Sequence, residues 1–244
     1  MSSDRPRTVV VTRAAAQSAG LTDRLERVGY RVLEVPVIQI AEPADGGAAL
    51  GAALARLDSY DWLVVTSPNG AARVRDAYSS LPVGRRPRLA AVGPGTAAAL
   101  GVPVDLVATD SVGEGLVAAM PAGSGHVLLA QAEAARDVVR SGLERLGWGV
   151  DAVIAYRTVR VDVSPELIRA ASSADGIVFT SGSTIRAYLD AAGSDGLPPV
   201  VVSIGPATSR VAEELGVRVT VTAAVHNLDG LVDAVQSVLP PVGG

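Results

Sequence analysis

The stretch Leu25-Glu-Arg-Val-Gly-Tyr30 returns 118 residues later as Leu143-Glu-Arg-Leu-Gly-Trp148. The same displacement aligns the run Thr8–Thr12 with His126–Ala130 without a gap. Three further pairs follow in the same order, at displacements between 112 and 115 residues: Asp61–Ser67 with Asp175–Ser181, Val92–Thr96 with Ile204–Thr208, and Gly115–Val117 with Gly230–Val232. Such self-similarity along most of the chain indicates two diverged copies of one unit, at about residues 7–120 and 125–239.

Each copy alternates short β-branched runs with segments of helical periodicity, which predicts five strands and five helices per copy. Runs such as Trp62–Val65 and Ile177–Phe179 are apolar throughout, as in parallel strands that helices cover on both faces. We predict the last strand of each copy near 104–108 and 217–222, and the first helix of the second copy near 135–146. This alternation predicts an α/β protein with two similar doubly wound parallel-sheet lobes.

Residue types that carry much of enzyme chemistry are absent or scarce. The 244 residues include no Cys, all 21 basic residues are Arg rather than Lys, and His126 and His226 are the two histidines. This composition excludes thiolate nucleophiles, iron–sulfur clusters, lysine Schiff bases and the lysine-containing P-loop, and it disfavours a zinc or histidine-rich metal site. We therefore predict chemistry without metal or cofactor, carried by hydroxyls, carboxylates, Arg, amides and the backbone.

Charge and hydropathy limit the partners that the sequence predicts. A net charge of −4 and an aromatic content of 3% disfavour nucleic acid, which calls for basic surfaces and stacking platforms. No apolar run approaches the roughly 18 residues of a membrane helix. The first residues lack the layout of a signal peptide. We predict a cytoplasmic protein with neither a nucleic-acid nor a membrane partner.

Hydroxyl-rich segments follow equivalent buried strands in the two copies. Thr66-Ser67-Pro68-Asn69 ends one strand and opens a helix, and Thr180-Ser181-Gly182-Ser183 does the same in the second copy. Ligands of open α/β sheets bind outside the carboxyl ends of strands, where helix N-termini offer N–H groups to carboxylate or phosphate. The alternative is that these hydroxyls only cap helices.

Two Gly-Pro turns also occupy equivalent positions. Gly93-Pro-Gly95-Thr96 formally fits the dinucleotide pattern G-x-G-x-x-A, but it lies late in its unit and no acidic residue follows at the required distance. The second copy, Gly205-Pro-Ala-Thr208, lacks the second glycine. We interpret both as turns that bring a helix N-terminus, with Thr96 or Thr208, close to an anion.

Single residues break the symmetry of the duplication. Tyr156 stands where the first copy has Ile38, so an ionisable phenol replaces an apolar side chain and becomes a candidate for the chemistry. The alternative is an amphipathic residue at a strand end with its hydroxyl in water. Arg13 follows the first strand, opposite Gln131 of the second copy, and is either a ligand for an anion or an ordinary surface Arg. His226 is interpreted as a solvated loop histidine.

These motifs resemble the uroporphyrinogen-III synthase family over essentially the whole chain. The family signatures are a Thr-Ser-Pro before a helix, a Gly-x-x-Thr turn, a Tyr-x-Thr at an inter-lobe connection and a terminal Ala-x-x-x-Thr-x-x-Gly-Leu. They read here as Thr66-Ser67-Pro68, Gly205-Pro-Ala-Thr208, Tyr156-Arg-Thr158 and Ala223 to Leu231. The sequence departs from the pattern at Asn227, Gly182 and Ser209, where Thr, Pro and Ala respectively are usual.

The resemblance implies a swapped domain plan and a substrate. Residues 1–38 with 160–244 would form one lobe and 41–155 the other, with strand linkers near 36–41 and 155–161 across a deep cleft. The substrate would be hydroxymethylbilane, a linear tetrapyrrole with eight carboxylates, which the enzyme closes with loss of water and inversion of the last ring. The family is not known to use a cofactor.

The resemblance also implies roles for the candidate residues. Tyr156 would face the cleft and act as general acid for the leaving hydroxyl. The substrate carboxylates would bind to Arg13, Thr66, Ser67, Asn69, Thr96, Thr180, Ser181, Ser183 and Thr208. We expect a monomer. Two rival functions stay open: a non-catalytic two-lobed module that binds or senses a small anion, and a nucleotide-sugar transferase, for which the chain lacks an Asp-x-Asp metal pair.

Overall fold

Two β-sheets, each packed against helices, make up the computed structural model, which describes residues 5–242 apart from the side chain of Ala16. The chain divides into unit 1, Met1–Gln39 with Val159–Gly244, and unit 2, Ile40–Thr158. It therefore passes from one unit to the other twice, each time within a strand. In the described part of the chain, no helix is both long and apolar enough to cross a lipid bilayer.

Unit 1 contains a five-stranded sheet in the order β11-β10-β9-β1-β2, with every neighbouring pair parallel. Its elements are β1 (Thr8–Val11), α1 (Ala15–Arg27), β2 (Arg31–Glu34), α7 (Pro165–Ser172), β9 (Gly176–Phe179), α8 (Gly182–Ala192), β10 (Val200–Ser203), α9 (Pro206–Glu214), β11 (Val221–Thr222) and α10 (Leu228–Val238).

Unit 2 contains a six-stranded sheet in the order β3-β8-β7-β4-β5-β6, in which β8, β7, β4, β5 and β6 run parallel. Its elements are β3 (Ile38–Ala41), α2 (Ala48–Leu54), β4 (Trp62–Val65), α3 (Pro68–Ser80), β5 (Arg88–Ala91), α4 (Pro94–Leu100), β6 (Leu106–Val107), α5 (Gly113–Ala119), β7 (His126–Ala132), α6 (Val138–Arg145) and β8 (Gly149–Arg160). Strands β3 and β8 are the two that continue into unit 1.

The two sheets have the same strand order once the repeats are aligned. Strands β11, β10, β9, β1 and β2 of unit 1 correspond to β6, β5, β4, β7 and β8 of unit 2. Because β1, α1 and β2 come from the first copy but join strands of the second copy, the first β-α-β segment is exchanged between the copies. The α/β fold class with two duplicated, swapped parallel-sheet lobes is confirmed.

The repeated Leu-Glu-Arg-x-Gly-aromatic stretch ends a helix in both copies. The Tyr30 and Trp148 N–H groups donate to the carbonyl oxygens of Leu25 and Leu143, at 3.1 and 3.2 Å. Gly29 and Gly147 both have φ of 97°, a left-handed conformation that glycine adopts without steric cost. These are the hydrogen bonds of the Schellman motif, which explains why this stretch persists where the rest has diverged.

The edge strands β6 and β11 are two residues long, shorter than predicted, for the same reason in both copies. The carboxylate of Asp105 accepts from the Leu89 N–H at 2.7 Å, and the hydroxyl of Thr220 accepts from the Val201 N–H at 3.0 Å. In each copy, a side chain thus accepts the strand N–H that the main chain of the edge strand would otherwise accept. Helix α6 also begins later than predicted, at Val138, because the exposed residues 133–137 have no apolar face to bury.

The sheet of unit 2 has a separate core on each face. One core, which we term the α2–α4 core, contains residues of α2, α3 and α4 packed against the alternate strand residues Leu63, Val65, Leu128 and Ala130. Their sequence neighbours Val64, Val127 and Leu129 pack with α5 and α6, in the α5–α6 core. This alternation is the two-residue period of a strand whose faces are both covered.

We expect Gly230→Ala to lower the free energy of unfolding by about 1–3 kcal/mol, because a Cβ there would overlap the Val225 carbonyl oxygen. Gly51→Ala is the control, since a Cβ at that position in α2 meets nothing within 4 Å and alanine favours the helix. Urea unfolding of both variants measures the difference. Equal stability of the two variants would contradict the close approach of the Val225 loop to α10.

Candidate active site

In unit 2, the carboxyl end of β4 leads directly into the first turn of α3. The Ser67 hydroxyl is the N-cap and accepts from the Gly70 N–H at 3.0 Å, with Pro68 at the first helical position. Capping therefore occupies the acceptor side of Ser67, but the same hydroxyl keeps its hydrogen for a ligand. Thr66 and Asn69, on either side of Ser67 and Pro68, are half-buried.

In unit 1, the equivalent end of β9 leads into α8. Ser181 caps α8 by accepting from the Thr184 N–H at 3.4 Å, and its oxygen is 2.9 Å from that of the exposed Ser183. Gly182 replaces the proline that opens α3, and a Cβ at this position would lie 2.7 Å from the Val211 side chain of α9. Close packing of α8 on α9 therefore accounts for the glycine, which also adds one N–H donor to the helix start.

Threonines at the two Gly-Pro turns are nearly buried and lie in the first turns of α4 and α9. Thr96 is 3% exposed and Thr208 is 5% exposed, and their N–H groups donate to Gly93 and Gly205 carbonyls. Within residues 5–242, neither hydroxyl has a hydrogen-bond partner, and no fully buried side-chain oxygen or nitrogen lacks one. The small exposed fraction of each threonine must therefore include its hydroxyl oxygen.

A triangle of hydroxyls lies next to the start of α9. The Ser209 oxygen is 2.6 Å from that of Ser203 and 2.7 Å from that of Thr222, and the Ser203 and Thr222 oxygens are 3.3 Å apart. These contacts join α9 to the ends of β10 and β11. Ser209 thus has a structural role that the sequence had not indicated.

Arg13 follows β1 at the carboxyl edge of unit 1. Val11 pairs with Val178 on the neighbouring strand, and Arg13 and Thr180 each follow this pair by two residues. The Arg13 side chain is half-buried, and no ion pair or hydrogen bond joins it to another residue of the described chain. Burial lowers the pKa of its guanidinium, which is nonetheless protonated at neutral pH. A half-buried cation without a counter-ion favours an anionic ligand.

Tyr156 lies at the carboxyl edge of unit 2. Val65, the last residue of β4, is level with Ala130 on β7, and Tyr156 pairs with Ala132, two residues further on. The Tyr156 side chain is 6% exposed and belongs to the α2–α4 core. Its hydroxyl has no hydrogen-bond partner among the described residues, and no fully buried oxygen there is unpaired, so the hydroxyl reaches solvent.

The other four tyrosines all donate their hydroxyl hydrogen to a fixed acceptor. Tyr30, Tyr78 and Tyr188 donate to the carbonyls of Leu239, Pro87 and Gly196, at 2.5, 3.2 and 2.9 Å. Tyr60 donates to the Asp151 carboxylate at 2.7 Å. Burial raises the pKa of Tyr60 and of Tyr188 to about 12. Tyr156 alone of the five tyrosines has its proton available to a ligand.

The ten candidate residues thus lie at the carboxyl edges of two different sheets. Unit 2 contributes Thr66, Ser67, Asn69, Thr96 and Tyr156, and unit 1 contributes Arg13, Thr180, Ser181, Ser183 and Thr208. Within residues 5–242, no three metal-ligating side chains lie close enough together to hold an ion.

Two loop residues at these edges lie against the Gly-Pro turns, which the sequence did not predict. His226 is exposed as expected, but a Cβ on Gly205 would lie 3.2 Å from its ring, so the imidazole lies against the turn that begins α9. Ser111 lies over Gly93 in the same way and has φ of 53°. The displacement of 115 residues that aligns Gly115 with Gly230 also aligns Ser111 with His226. This alignment is the feature of the sequence that could have identified both residues.

Comparisons with known proteins agree with one another. The family model described as uroporphyrinogen-III synthase HemD matches residues 19–233. A chloroplastic uroporphyrinogen-III synthase of Oryza sativa is 28% identical, over 98% of this chain and 82% of its own, and that of Synechococcus elongatus is 29% identical over 94% of both. The fold is similar to that of uroporphyrinogen III synthases from Thermus thermophilus (TM-score 0.68, 18% identity, 95% and 98% of the two chains) and Helicobacter pylori (TM-score 0.60, 17% identity, 95% and 99%).

Proposed function

We propose that this chain, which belongs to the uroporphyrinogen-III synthase family, cyclises hydroxymethylbilane with loss of water and inversion of the last pyrrole ring. The family is one of lyases in tetrapyrrole biosynthesis, and its members act on a small tetrapyrrole. The observation that best supports a catalytic function is Tyr156, the one tyrosine whose hydroxyl is without an acceptor, at the end of a strand where α/β proteins bind ligands.

The proposed reaction begins with proton transfer from the Tyr156 phenol. The phenol donates its proton to the terminal hydroxyl of the substrate, the carbon–oxygen bond breaks, and water leaves. The lone pair of the adjacent pyrrole nitrogen stabilises the cation that remains. The substituted carbon of the last ring then attacks this cation and forms a spiro intermediate. The bond from this carbon to its original methylene bridge breaks, and the released methylene cation is attacked by the free α-carbon of the same ring, which inverts the ring. That α-carbon loses its proton to restore the aromatic pyrrole, and the phenolate recovers a proton. General acid catalysis of this kind contributes roughly 10²–10⁴-fold.

The substrate carboxylates are proposed to bind at the carboxyl edge of each unit. Arg13 supplies the one charged donor of the set, and the hydroxyls and N–H groups at the starts of α3, α8 and α9 supply neutral ones. The net charge of −4 does not oppose this, because surface charges beyond about 8–10 Å are screened while donors in contact act directly. Holding eight carboxylates restrains a flexible molecule so that the correct carbon meets the cation, which is catalysis by positioning.

The decisive experiment mixes the purified protein with freshly prepared hydroxymethylbilane and identifies the porphyrin isomer by chromatography after oxidation. We expect the isomer with the inverted last ring, at a rate proportional to protein concentration. If the isomer composition matches a protein-free blank while calorimetry shows stoichiometric binding, the alternative of a non-catalytic anion-binding or sensor module is correct.

We expect that extended treatment with a strong chelator leaves the activity unchanged. The chain has no Cys, and its two His are 100 positions apart in the sequence, so it offers few ligands for a tightly held transition metal. Metal analysis of the purified protein accompanies the assay. A stoichiometric metal whose removal abolishes turnover, and whose return restores it, would contradict this prediction.

We further propose a cytoplasmic monomer that acts without nucleic acid or a membrane. The acidic net charge and the low aromatic content support the absence of a nucleic-acid partner, because nucleic-acid binding depends on cationic surfaces and on stacking. Light scattering during size exclusion, at the concentration of the activity assay, measures the oligomeric state. The mass of a dimer would refute the monomer.

A further inference from the structure

Two consecutive residues of β8 lie in the same core. In a regular strand, successive side chains point to opposite faces of the sheet. Ala155 is fully buried in the α2–α4 core, yet Tyr156, the next residue, belongs to the same core. Ile154 lies between Val153 and Ala155, which both belong to this core. Its side chain therefore points to the opposite face of the sheet, where it is 39% exposed.

A β-bulge causes this arrangement. Gln131 of β7 pairs with Ile154, and the next residue, Ala132, pairs with Tyr156, so Ala155 has no partner of its own. The ladder resumes at once, because the Glu133 N–H donates to the Tyr156 carbonyl at 3.0 Å. Two residues of β8 therefore oppose one residue of β7, which is the definition of a bulge.

The bulge determines the face on which the Tyr156 phenol lies. With one-to-one pairing, Ala155 would oppose Ala132 and Tyr156 would oppose Glu133, and the phenol would share the outward face of Ile154. The bulge instead turns the ring into the α2–α4 core, the face on which α3 begins at Pro68. The core then holds the ring, and the hydroxyl remains at the carboxyl edge.

We propose that the bulge at Ala155 positions Tyr156 for the reaction, because the one-residue offset between β8 and β7 directs the phenol to the face of the sheet on which α3 begins. This inference rests on the proposed function, in which Tyr156 is the general acid. Bulges commonly redirect a side chain next to an active site. A small residue suits this position, since Ala155 is wholly enclosed by the core.

Two variants remove the bulge and have opposite effects on the phenol. Deleting Ala155 leaves Tyr156 opposite Ala132, in the regular position that faces the same core. Inserting one alanine after Gln131 also restores one-to-one pairing, but it turns Tyr156 to the opposite face. We expect the insertion to lower kcat to the level of Tyr156→Phe, about 10²-fold, with KM little changed, and the deletion to retain at least about ten times the kcat of the insertion.

The insertion also turns Arg157, whose guanidinium donates to the Glu42 carbonyl at 2.9 Å. The variant Arg157→Ala therefore measures how much of the loss in kcat is due to displacement of Arg157. If the insertion does not fold, the exchange Ile154→Tyr with Tyr156→Ile replaces it. Residues two apart share a face in a regular strand, but the bulge separates these two. The exchange is therefore expected to be as impaired as Tyr156→Phe, whereas retained activity would overturn the proposal.

Nuclear Overhauser contacts between the Tyr156 ring and methyl groups report the face independently of activity. We expect contacts to the α2–α4 core in the wild type and in the deletion, and their loss in the insertion. A folded insertion variant that keeps these contacts, or keeps wild-type kcat, would overturn the positioning role. If Tyr156→Phe itself is fully active, the proposed acid is wrong, while the Overhauser contacts still decide whether the bulge sets the face.

Discussion

Tyr156→Phe is expected to lower kcat by about 10²-fold while KM stays nearly constant. The substitution keeps the ring that fills the α2–α4 core and removes only the hydroxyl that reaches solvent. The donated proton matters in the transition state rather than in the bound substrate, so affinity is little affected. The loss is partial, because water or a protonated substrate carboxyl can replace the phenol and the pyrrole nitrogen still assists departure of water.

The product isomer should survive this substitution, because orientation of the substrate is distributed over many donors. The measurement is the steady-state rate together with the isomer ratio. Tyr78→Phe is the matched control, since the Tyr78 hydroxyl donates to the Pro87 carbonyl within the same core. This control should lose about 1 kcal/mol of stability and no kcat. Adding Ile38→Tyr to the Tyr156→Phe variant should not restore the rate. An unchanged rate for Tyr156→Phe would reduce Tyr156 to a packed aromatic.

Removing Arg13 together with four hydroxyls is expected to have the largest effect on kcat/KM. Alanine at Thr66, Ser67, Ser181 or Thr208 alone should cost about 0.5–1.5 kcal/mol of binding, because neighbouring N–H groups remain. Arg13→Ala should cost about 1.5–3 kcal/mol, the range for a hydrogen bond to a charged group. The five together should lower kcat/KM by at least about 300-fold, since the lower limits of these costs total about 3.5 kcal/mol and every 1.4 kcal/mol is tenfold.

This variant needs a stability control, because Ser67 and Ser181 also cap helices. Losing a cap costs about 1 kcal/mol of stability. Ser80→Ala with Ser237→Ala removes two hydroxyls that bond to helix carbonyls at the opposite ends of α3 and α10. This pair should leave kcat/KM unchanged. A folded five-residue variant that turns over like the wild type would show that carboxylates bind elsewhere.

Tyr156 and Arg13 show where reasoning from the sequence stops. The sequence identified both as breaks in the symmetry of the duplication, opposite Ile38 and Gln131. It left open whether either was more than a surface residue. Only the positions of the surrounding side chains show that four tyrosine hydroxyls have acceptors while that of Tyr156 has none, and that no described residue pairs with Arg13.

The sequence by itself determined the features that depend on a few consecutive residues. The alternation of apolar runs with helical segments specified the duplicated α/β fold. The helix ends could also be predicted, because the hydrogen bonds of the Schellman motif and of the capping residues Ser67 and Ser181 are local. Tertiary structure alone decided features that depend on which residue of a distant strand lies opposite. The bulge at Ala155 exists only because β7 supplies one residue where β8 supplies two, and a pairing across 23 to 24 positions has no local signal.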